Sequence, residues 1–520
     1  MSRTRPGMMQ ATSMVLVLFA FGVVTVSLGC LAEAPYILLA GVLLQFASNI
    51  VFGLLRMRTR FLFLLLHGGI FLFWLTRPLI GSLYGTQAWF GVTWDATFFS
   101  LWVIYLAMVF LLAGTLLYEG CRCREGKLLL PSWEAALHER MSPSSLGSRL
   151  FIGNIGGIRI ASGALFLFCS AMMAVQACCM VAYMSGRSYE ELYLASVSAY
   201  TPGFASFFSA MLAYALCAYL ATLPRKRPAS AALFLYIALS VPKLLVGGRA
   251  DFVTACLFLA AYYVIRQMID PKEKWITKRI VVAACAAIPV GIVLLGSITY
   301  LRAGTDAGFD NVLMSVADAL YKQGVSFKVL QYGYEVNDQI QLLGPKLFVI
   351  GSLLSNITQG FFGQNLLGMP QLPDSNSVDL ALYGNSYAHT MSFFAHPNYL
   401  GGEGYGSSYV LEAFADGGMP FVAALSFLFG LVFAWLSANT GRTWFTTLVG
   451  LLATMSVYRL PRAAACEWIS FIWTTRFWVF LILLIALSWL VTCALDMRLP
   501  RWSATSTEDD RTHLIGVRDT

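Results

Sequence analysis

Long apolar stretches alternate with short charged or turn-forming segments along almost the whole chain. Each stretch runs for roughly 18–22 residues, the length a helix needs to cross the hydrocarbon core of a bilayer. The pattern predicts about twelve transmembrane helices, at 13–33, 36–55, 61–83, 97–118, 160–184, 204–222, 230–247, 251–268, 280–300, 420–438, 444–459 and 477–495. The expected fold class is therefore all-α, a polytopic integral membrane bundle. Its parts are an N-terminal bundle over 1–301, a large loop region over 302–419, C-terminal helices over 420–498 and a charged tail over 499–520. The apolar stretch that follows Arg3 and Arg5 is long enough to span and lacks a small-residue cleavage end, so it reads as an anchor helix and not a cleaved signal.

Basic residues give the bundle its orientation. Arg56, Arg58 and Arg60 follow the second stretch, and Arg122, Arg124 and Lys127 the fourth. Arg225, Lys226 and Arg227 follow the sixth, Lys272, Lys274, Lys278 and Arg279 the eighth, and Arg442 the tenth. All of these loops fall after an even-numbered helix, which places them and both termini in the cytoplasm. The 302–419 region then lies outside. Its Gly/Pro/Asn turns and amphipathic stretches, such as 311–330, predict short helices resting on the membrane surface.

Composition agrees with this reading. Of 520 residues 58% are hydrophobic and 12% charged, against roughly 25% charged in a soluble protein. The net charge of +8 is explained by the cytoplasmic loops, and no nucleic-acid motif accompanies it. Most of the 11 cysteines sit in apolar runs, and Cys121-x-Cys123 has no second half, so neither a disulfide framework nor a metal site is expected. No internal repeat, Walker loop or dinucleotide fingerprint occurs.

Charges on the external side run against the topology bias and mark candidate chemistry. Arg187, Arg249, Arg302, Arg459, Arg462 and Arg476 are of this kind, with Arg77 inside the apolar stretch of the third helix. Arginine is always charged, contacts phosphate in bidentate fashion and is costly to bury without an anion. Arg249 sits in a glycine turn between two helices, where backbone and guanidinium can approach a ligand together. The competing account of these arginines is snorkelling to headgroups, or pairing with Asp251, Asp306 or Asp310. A second constellation runs from Asn385 to Asp416 and packs His389, His396, Glu403 and Glu412 among Tyr387, Tyr405, Tyr409 and several glycines. Aromatic faces, amides and carboxylates suit a sugar, and a His or Glu can serve as base for a sugar hydroxyl. Glu412, at the run into helix ten, is expected to project at the membrane surface. Asn356-Ile-Thr is a glycosylation sequon by pattern, and Asp306, Asp310, Asp374 and Asp379 fit no cation-loop spacing.

Three segments carry a family resemblance: Phe73-Trp-Leu-Thr-Arg-Pro-Leu-Ile, Val246-Gly-Gly-Arg-Ala-Asp-Phe, and above all Asn385-Ser-Tyr-Ala-His through Gly404-Tyr-Gly-Ser-Ser-Tyr-Val-Leu-Glu-Ala-Phe-Ala-Asp-Gly-Gly. Together with the topology they make the chain resemble the Wzy-type polymerases of bacterial O-antigen and capsular repeat units. The resemblance implies a GT-C-like fold in the cytoplasmic membrane, with its active site at the outer face. It implies transfer of a growing glycan from undecaprenyl pyrophosphate to a new lipid-linked repeat unit, without nucleotide sugar, metal or cofactor. A flippase and a chain-length regulator would be its protein partners. By this likeness Arg249, Arg302, Arg459 and Arg462 would bind pyrophosphate, and His389, Glu403 and Glu412 would be the catalytic candidates. Asn385, Tyr387, His396, Tyr405 and Tyr409 would bind sugar. An O-antigen-ligase-type transferase and a lipid-linked oligosaccharide flippase or transporter are the alternatives. The low number of charges inside the apolar stretches, Arg77 and Lys243, favours surface chemistry over transport.

Overall fold

The computed structural model describes residues 6–124, 155–185, 187, 199–245, 248–287, 291, 312–373 and 375–498, and their regular structure is helical throughout. Among the described residues, nine helices are long and apolar enough to cross a membrane. They are α1 (Thr12–Leu31, within the helix Pro6–Leu31), α2 (Pro35–Leu55), α3 (Phe61–Leu83), α4 (within Trp94–Arg124), α5 (Ile155–Met184), α6 (Gly203–Ala221), α8 (Ala250–Ile269), α14 (Tyr409–Asn439) and α16 (within Thr475–Arg498). The remaining helices used below are α7 (Lys226–Leu245), α9 (Val312–Gln323), α10 (Ser326–Glu335), α11 (Gly351–Thr358), α12 (Phe361–Asn365), α13 (Tyr387–Ala395) and α15 (Trp444–Ser456).

Three expected spans fare differently. Helix α7 covers 230–247 nearly as expected, but Lys226, Arg227, Pro242 and Lys243 interrupt its apolar character. The 280–300 stretch lies largely outside the described residues, as does Arg302. The stretch 444–459 is a 13-residue helix, only ~20 Å long at 1.5 Å per residue. It stops short of the roughly 30 Å hydrocarbon thickness, and the chain leaves it in a 3-10 turn at Val457–Arg462. Pro461 cannot donate to a continuing helix, which fits the stop there.

Close packing explains why these helices assemble without help from water exclusion. A Cβ on Gly114 of α4 would lie 2.0 Å from the Phe427 carbonyl oxygen, and one on Gly430 of α14 would lie 2.2 Å from that of Leu111. Only glycine lets the two backbones approach so closely, and Thr115 adds a hydrogen bond of 3.1 Å to the Gly430 carbonyl. Asn49 of α2 contacts His67 Nε2 of α3 at 2.9 Å and donates to the Met108 carbonyl of α4 at 3.0 Å. His67 Nδ1 faces the Phe63 carbonyl, so the ring carries its proton there and accepts at Nε2 from Asn49.

The basic loops gather at one end of the bundle. Arg60 makes a two-pronged pair with Glu119, at 2.8 and 2.5 Å. Glu273 accepts from Arg266, Trp275 Nε1 and the Lys226 backbone, a set that holds its carboxyl below the usual range despite burial. The opposite end carries the large loop region, whose helices α9 and α10 pack over the ends of α3, α4 and α14, with α13 resting on α10. Helix α14 begins at Tyr409, earlier than the expected 420–438, but it is broken by non-helical Gly417 and Gly418. Gly418 has φ of +67°, a left-handed conformation that suits glycine. The part beyond the break matches the expected span.

Candidate active site

The early stop of α15 creates the site. Because that helix is too short to cover the bilayer thickness, the loop 457–474 is held inside the end of the bundle that carries the large loop region. Gly69 of α3 makes room for it, since a Cβ there would fall 1.9 Å from the Tyr458 carbonyl oxygen. Trp74 of α3 donates from Nε1 to the Pro461 carbonyl at 2.9 Å. The loop thus carries Arg459, Arg462 and Glu467 on a turn fastened to a rigid helix.

The α7–α8 turn meets this loop from the side. Thr254 of α8 and Tyr458 share a hydroxyl hydrogen bond of 2.7 Å. Lys243 Nζ lies 2.7 Å from Asp251, and Arg459 lies 2.6 Å from Glu467. Arg249 precedes α8, close enough to Arg462 that its charge lowers the latter's pKa, behind the larger effect of desolvation. Arg462 nevertheless keeps an exposed surface. Two like charges that act on one another where one of them is desolvated are what a bound polyanion would relieve. Arg459 and Arg462 thus share one loop with Arg249 nearby, and Arg302 lies outside the described residues.

The Gly404–Ser408 stretch crosses this basic group. A Cβ on Gly406 would stand 3.2 Å from the Arg462 carbonyl oxygen and 3.5 Å from its Cγ. One residue later, Ser407 Oγ donates to Glu412 Oε1 at 2.6 Å, and the Ala465 N–H donates to Glu412 Oε2 at 2.7 Å. Glu412 is 1% exposed, which corrects its expected place at the membrane surface. Both its oxygens are engaged in tying the 404–408 stretch to the basic loop, so it positions the site and has no face for a substrate. Tyr387 and Tyr409 are corrected for a similar reason. Tyr409 stacks on Trp74 at 5.9 Å and Tyr387 packs against Phe348 at 5.2 Å, both fully inside the core, where a sugar cannot reach them. Cys466, pushed up to about 11 by burial and the Glu412 charge, is unsuited to act as a nucleophile.

On the other side of Gly406 lies the histidine group. Tyr405 stacks on Tyr332 at 4.9 Å and meets the His396 ring edge at 4.8 Å. Its backbone is bonded twice to Ser392 of α13. His396 Nδ1 accepts from the Asn398 N–H, so Nε2 carries the proton and faces Glu403 at 3.6 Å. Asn376 donates to the carbonyls of Tyr399 and Glu403 and braces the turn. His389 lies on the same face of α13 as Phe393 and His396, and its Nδ1 is 3.1 Å from the Tyr399 hydroxyl. That hydroxyl donates to the Ser377 carbonyl, so it accepts from His389 Nδ1–H. The ring is then neutral with an open lone pair at Nε2, and burial lowers its pKa from the ordinary value, keeping the basic form. Asn385 is half-buried at the start of α13.

Three consecutive residues thus join the two groups: Tyr405 touches His396, Gly406 touches Arg462, and Ser407 bonds Glu412. Their Cα atoms span at most about 7 Å. Sequence reasoning missed Glu467, the counter-ion of Arg459, although it is the lone acidic residue between Arg442 and Asp496. It also missed Lys328 of α10, whose pKa is lowered by burial and then by the charge of Arg77. Among the described residues no cluster of three or more His, Cys, Asp or Glu side chains could hold a metal ion.

Comparison with known proteins gives one finding. The family model described as O-antigen polysaccharide polymerase Wzy matches residues 9–492. No curated protein and no solved structure matches the chain.

Proposed function

The chain belongs to the O-antigen polysaccharide polymerase Wzy family, and on that premise we propose that it transfers a growing glycan from a polyprenyl pyrophosphate to a lipid-linked repeat unit at the outer face of the cytoplasmic membrane. The observation that carries this reading is the crossing of the Gly406 backbone over Arg462, on the loop that also holds Arg459, with Arg249 at the start of α8 near enough to act on Arg462 electrostatically. A pyrophosphate placed between those guanidiniums would put its glycosyl carbon near the Tyr405–His396 side of the same stretch.

The acceptor hydroxyl attacks the anomeric carbon, the C–O bond to pyrophosphate breaks, and the lipid pyrophosphate leaves with the bonding electrons. The arginines neutralise charge on the leaving oxygen as it develops, from positions set in advance. Neutral His389, with its open Nε2, is the base assigned to the hydroxyl proton. Glu403 exposes its carboxylate beside His396 and, with Asn385 and Tyr405, would orient sugar hydroxyls. The reaction needs no nucleotide sugar, because the pyrophosphate linkage is already activated. A flippase would supply repeat units from the cytoplasm, and a chain-length regulator would act on the product.

The test is a reconstituted assay with lipid-linked repeat units as both donor and acceptor. Arg249→Ala and Arg462→Ala should lose polymer while binding neither more nor fewer metal ions. Normal chain length in both would refute the arginine assignment. A ligase would leave repeat units unextended and transfer them only to a different acceptor. Repeat units that fail to reach the outer face in cells carrying the variants would point to a flippase.

A further inference from the structure

Between Lys346 and Asp374 the chain runs through 27 residues, 347–373, without a single charged side chain or histidine. In a segment facing water that is unexpected, and in length it would suffice for a transmembrane helix. It does not form one. It forms α11, then the five-residue α12, then a loop that returns past Met369.

Helix α11 lies across the outward ends of two spanning helices. At its start, Ile350 and Val349 border an open cavity of about 480 Å³ with Pro420, Phe421 and Ala424 of α14. At its end, Asn356 Nδ2 donates to the Ser470 carbonyl at 3.3 Å, in the turn that leads directly into α16. Beside that turn Trp473 and Trp478 are exposed, and Trp478 Nε1 donates to the Ile472 carbonyl. Exposed tryptophans at the end of a spanning helix mark the membrane–water boundary. The loop after α11 starts from that level.

Its tip is apolar and bare. Phe361, Leu366 and Leu367 are 62%, 74% and 62% exposed, and Met369 is exposed beside them. Several of its polar groups bond within the loop, while Asn365 and Gln371 remain exposed. Gln359 accepts from the Leu372 N–H and donates to the Pro370 carbonyl, closing the base of the loop. Gln364 donates to the Thr358 carbonyl, Asn365 to the Phe361 carbonyl, and the Met369 N–H to the Gly363 carbonyl. A loop that bonds much of its own backbone and shows mostly apolar side chains, with Asn365 and Gln371 as its exposed polar ones, suits the boundary of a medium that offers few hydrogen bonds.

We propose that residues 359–372 form a monotopic membrane element that inserts Phe361, Leu366, Leu367 and Met369 into the lipid leaflet on the side of the active site. The occupant of this apolar surface is the bilayer itself, continuous with the lipid-facing surface of α14 and α16. The insertion also bears on the site. Helix α11 is packed against the Ser470–Trp473 turn at the end of the same loop that carries Arg459, Arg462 and Glu467. Anchoring it in lipid holds that loop from behind. This inference rests on the chain crossing a membrane and stands apart from the glycosyl-transfer reading.

The experiment uses the full chain in nanodiscs containing a phosphatidylcholine with a diazirine in its acyl chain, and in parallel a water-soluble diazirine. After photolysis, adducts are mapped by peptide mass spectrometry. Lipid adducts on 361–369 at a level comparable to those on 478–490, with the aqueous reagent labelling 396–405 instead, are the expected result. Aqueous labelling of 361–369 without lipid adducts would overturn the proposal, and would be the outcome if this surface were kept for a protein partner. The paired variant Leu366→Asp, Leu367→Asp should lose the adducts at Phe361 and Met369 while those on α16 remain. Unchanged adducts at those two residues would also overturn it.

Discussion

Glu412 accepts a hydrogen bond from the backbone N–H of Ala465 at 2.7 Å, across 53 residues of chain. Its other oxygen takes the Ser407 hydroxyl. One buried carboxylate therefore sets the distance between the Gly406 crossing and the loop that carries Arg459 and Arg462.

Removing that carboxylate should damage the site and the fold together. In Glu412→Ala two buried donors lose their acceptor, at roughly 1–3 kcal/mol each. A fall in the unfolding temperature of the detergent-purified protein is expected, along with loss of polymer. Glu412→Gln keeps the shape and one acceptor oxygen, so it should fold while turnover falls more than apparent substrate affinity. A Gln variant with unchanged turnover would remove Glu412 from the positioning role.

Arg462 should be sensitive to the form of its charge as well as to its presence. Loss of one fixed positive group at developing charge typically costs about 10²–10³ in rate, so Arg462→Ala should lose at least the lower figure. Arg462→Lys should recover part of the rate, because a point charge remains without the bidentate fork. Single-turnover rates on a lipid-linked donor would measure both.

Two adjacent glycines offer a test of the loop's seat. A Cβ at Gly68 meets nothing within 4 Å, whereas one at Gly69 would sit on the Tyr458 carbonyl oxygen. Gly68→Ala should be neutral or stabilising by up to about 1 kcal/mol. Gly69→Ala forces the 457–462 turn to move and should cost on the order of 1–3 kcal/mol. Thermal unfolding of the pair, with polymer length as the second readout, would decide the point. Equal behaviour of the two would argue against the described contact.

Burial lowers the His389 pKa from its ordinary 6.5. The folded protein then binds the proton less readily than the unfolded chain does. Stability from this group is full above the unfolded value and is lost as pH falls from there through the folded one. The acid limb of the rate should likewise lie below 6.5. His389→Gln should flatten the His-linked part of the unfolding-temperature profile and abolish that limb. An acid limb that persists unchanged would assign the proton transfer to another residue.

Much of the architecture was legible in the chain because lipid imposes a simple rule. Every spanning backbone must bond internally, so apolar length reveals the helices. The arginines that break the charge bias were visible as such in the sequence, and the structure puts Arg459 and Arg462 on one loop with Arg249 nearby. The roles within the Asn385–Asp416 stretch were not legible in the same way. His396 and Glu403 belong to one turn, Tyr387 and Tyr409 to the core, and Glu412 to a buried strap. Residue type alone does not reveal burial in a segment without regular periodicity.

What the sequence determined by itself is therefore the helical membrane class, the spacing of its helices and the end at which unusual charge collects. These depend on local composition, which transfer into lipid reads residue by residue. Only the tertiary structure decided that α15 stops at 13 residues, that Gly69 seats the arginine loop against α3, and that Glu412 holds Ser407 to Ala465. Those facts depend on contacts between segments distant in the chain, where the space left by one helix fixes what another can carry.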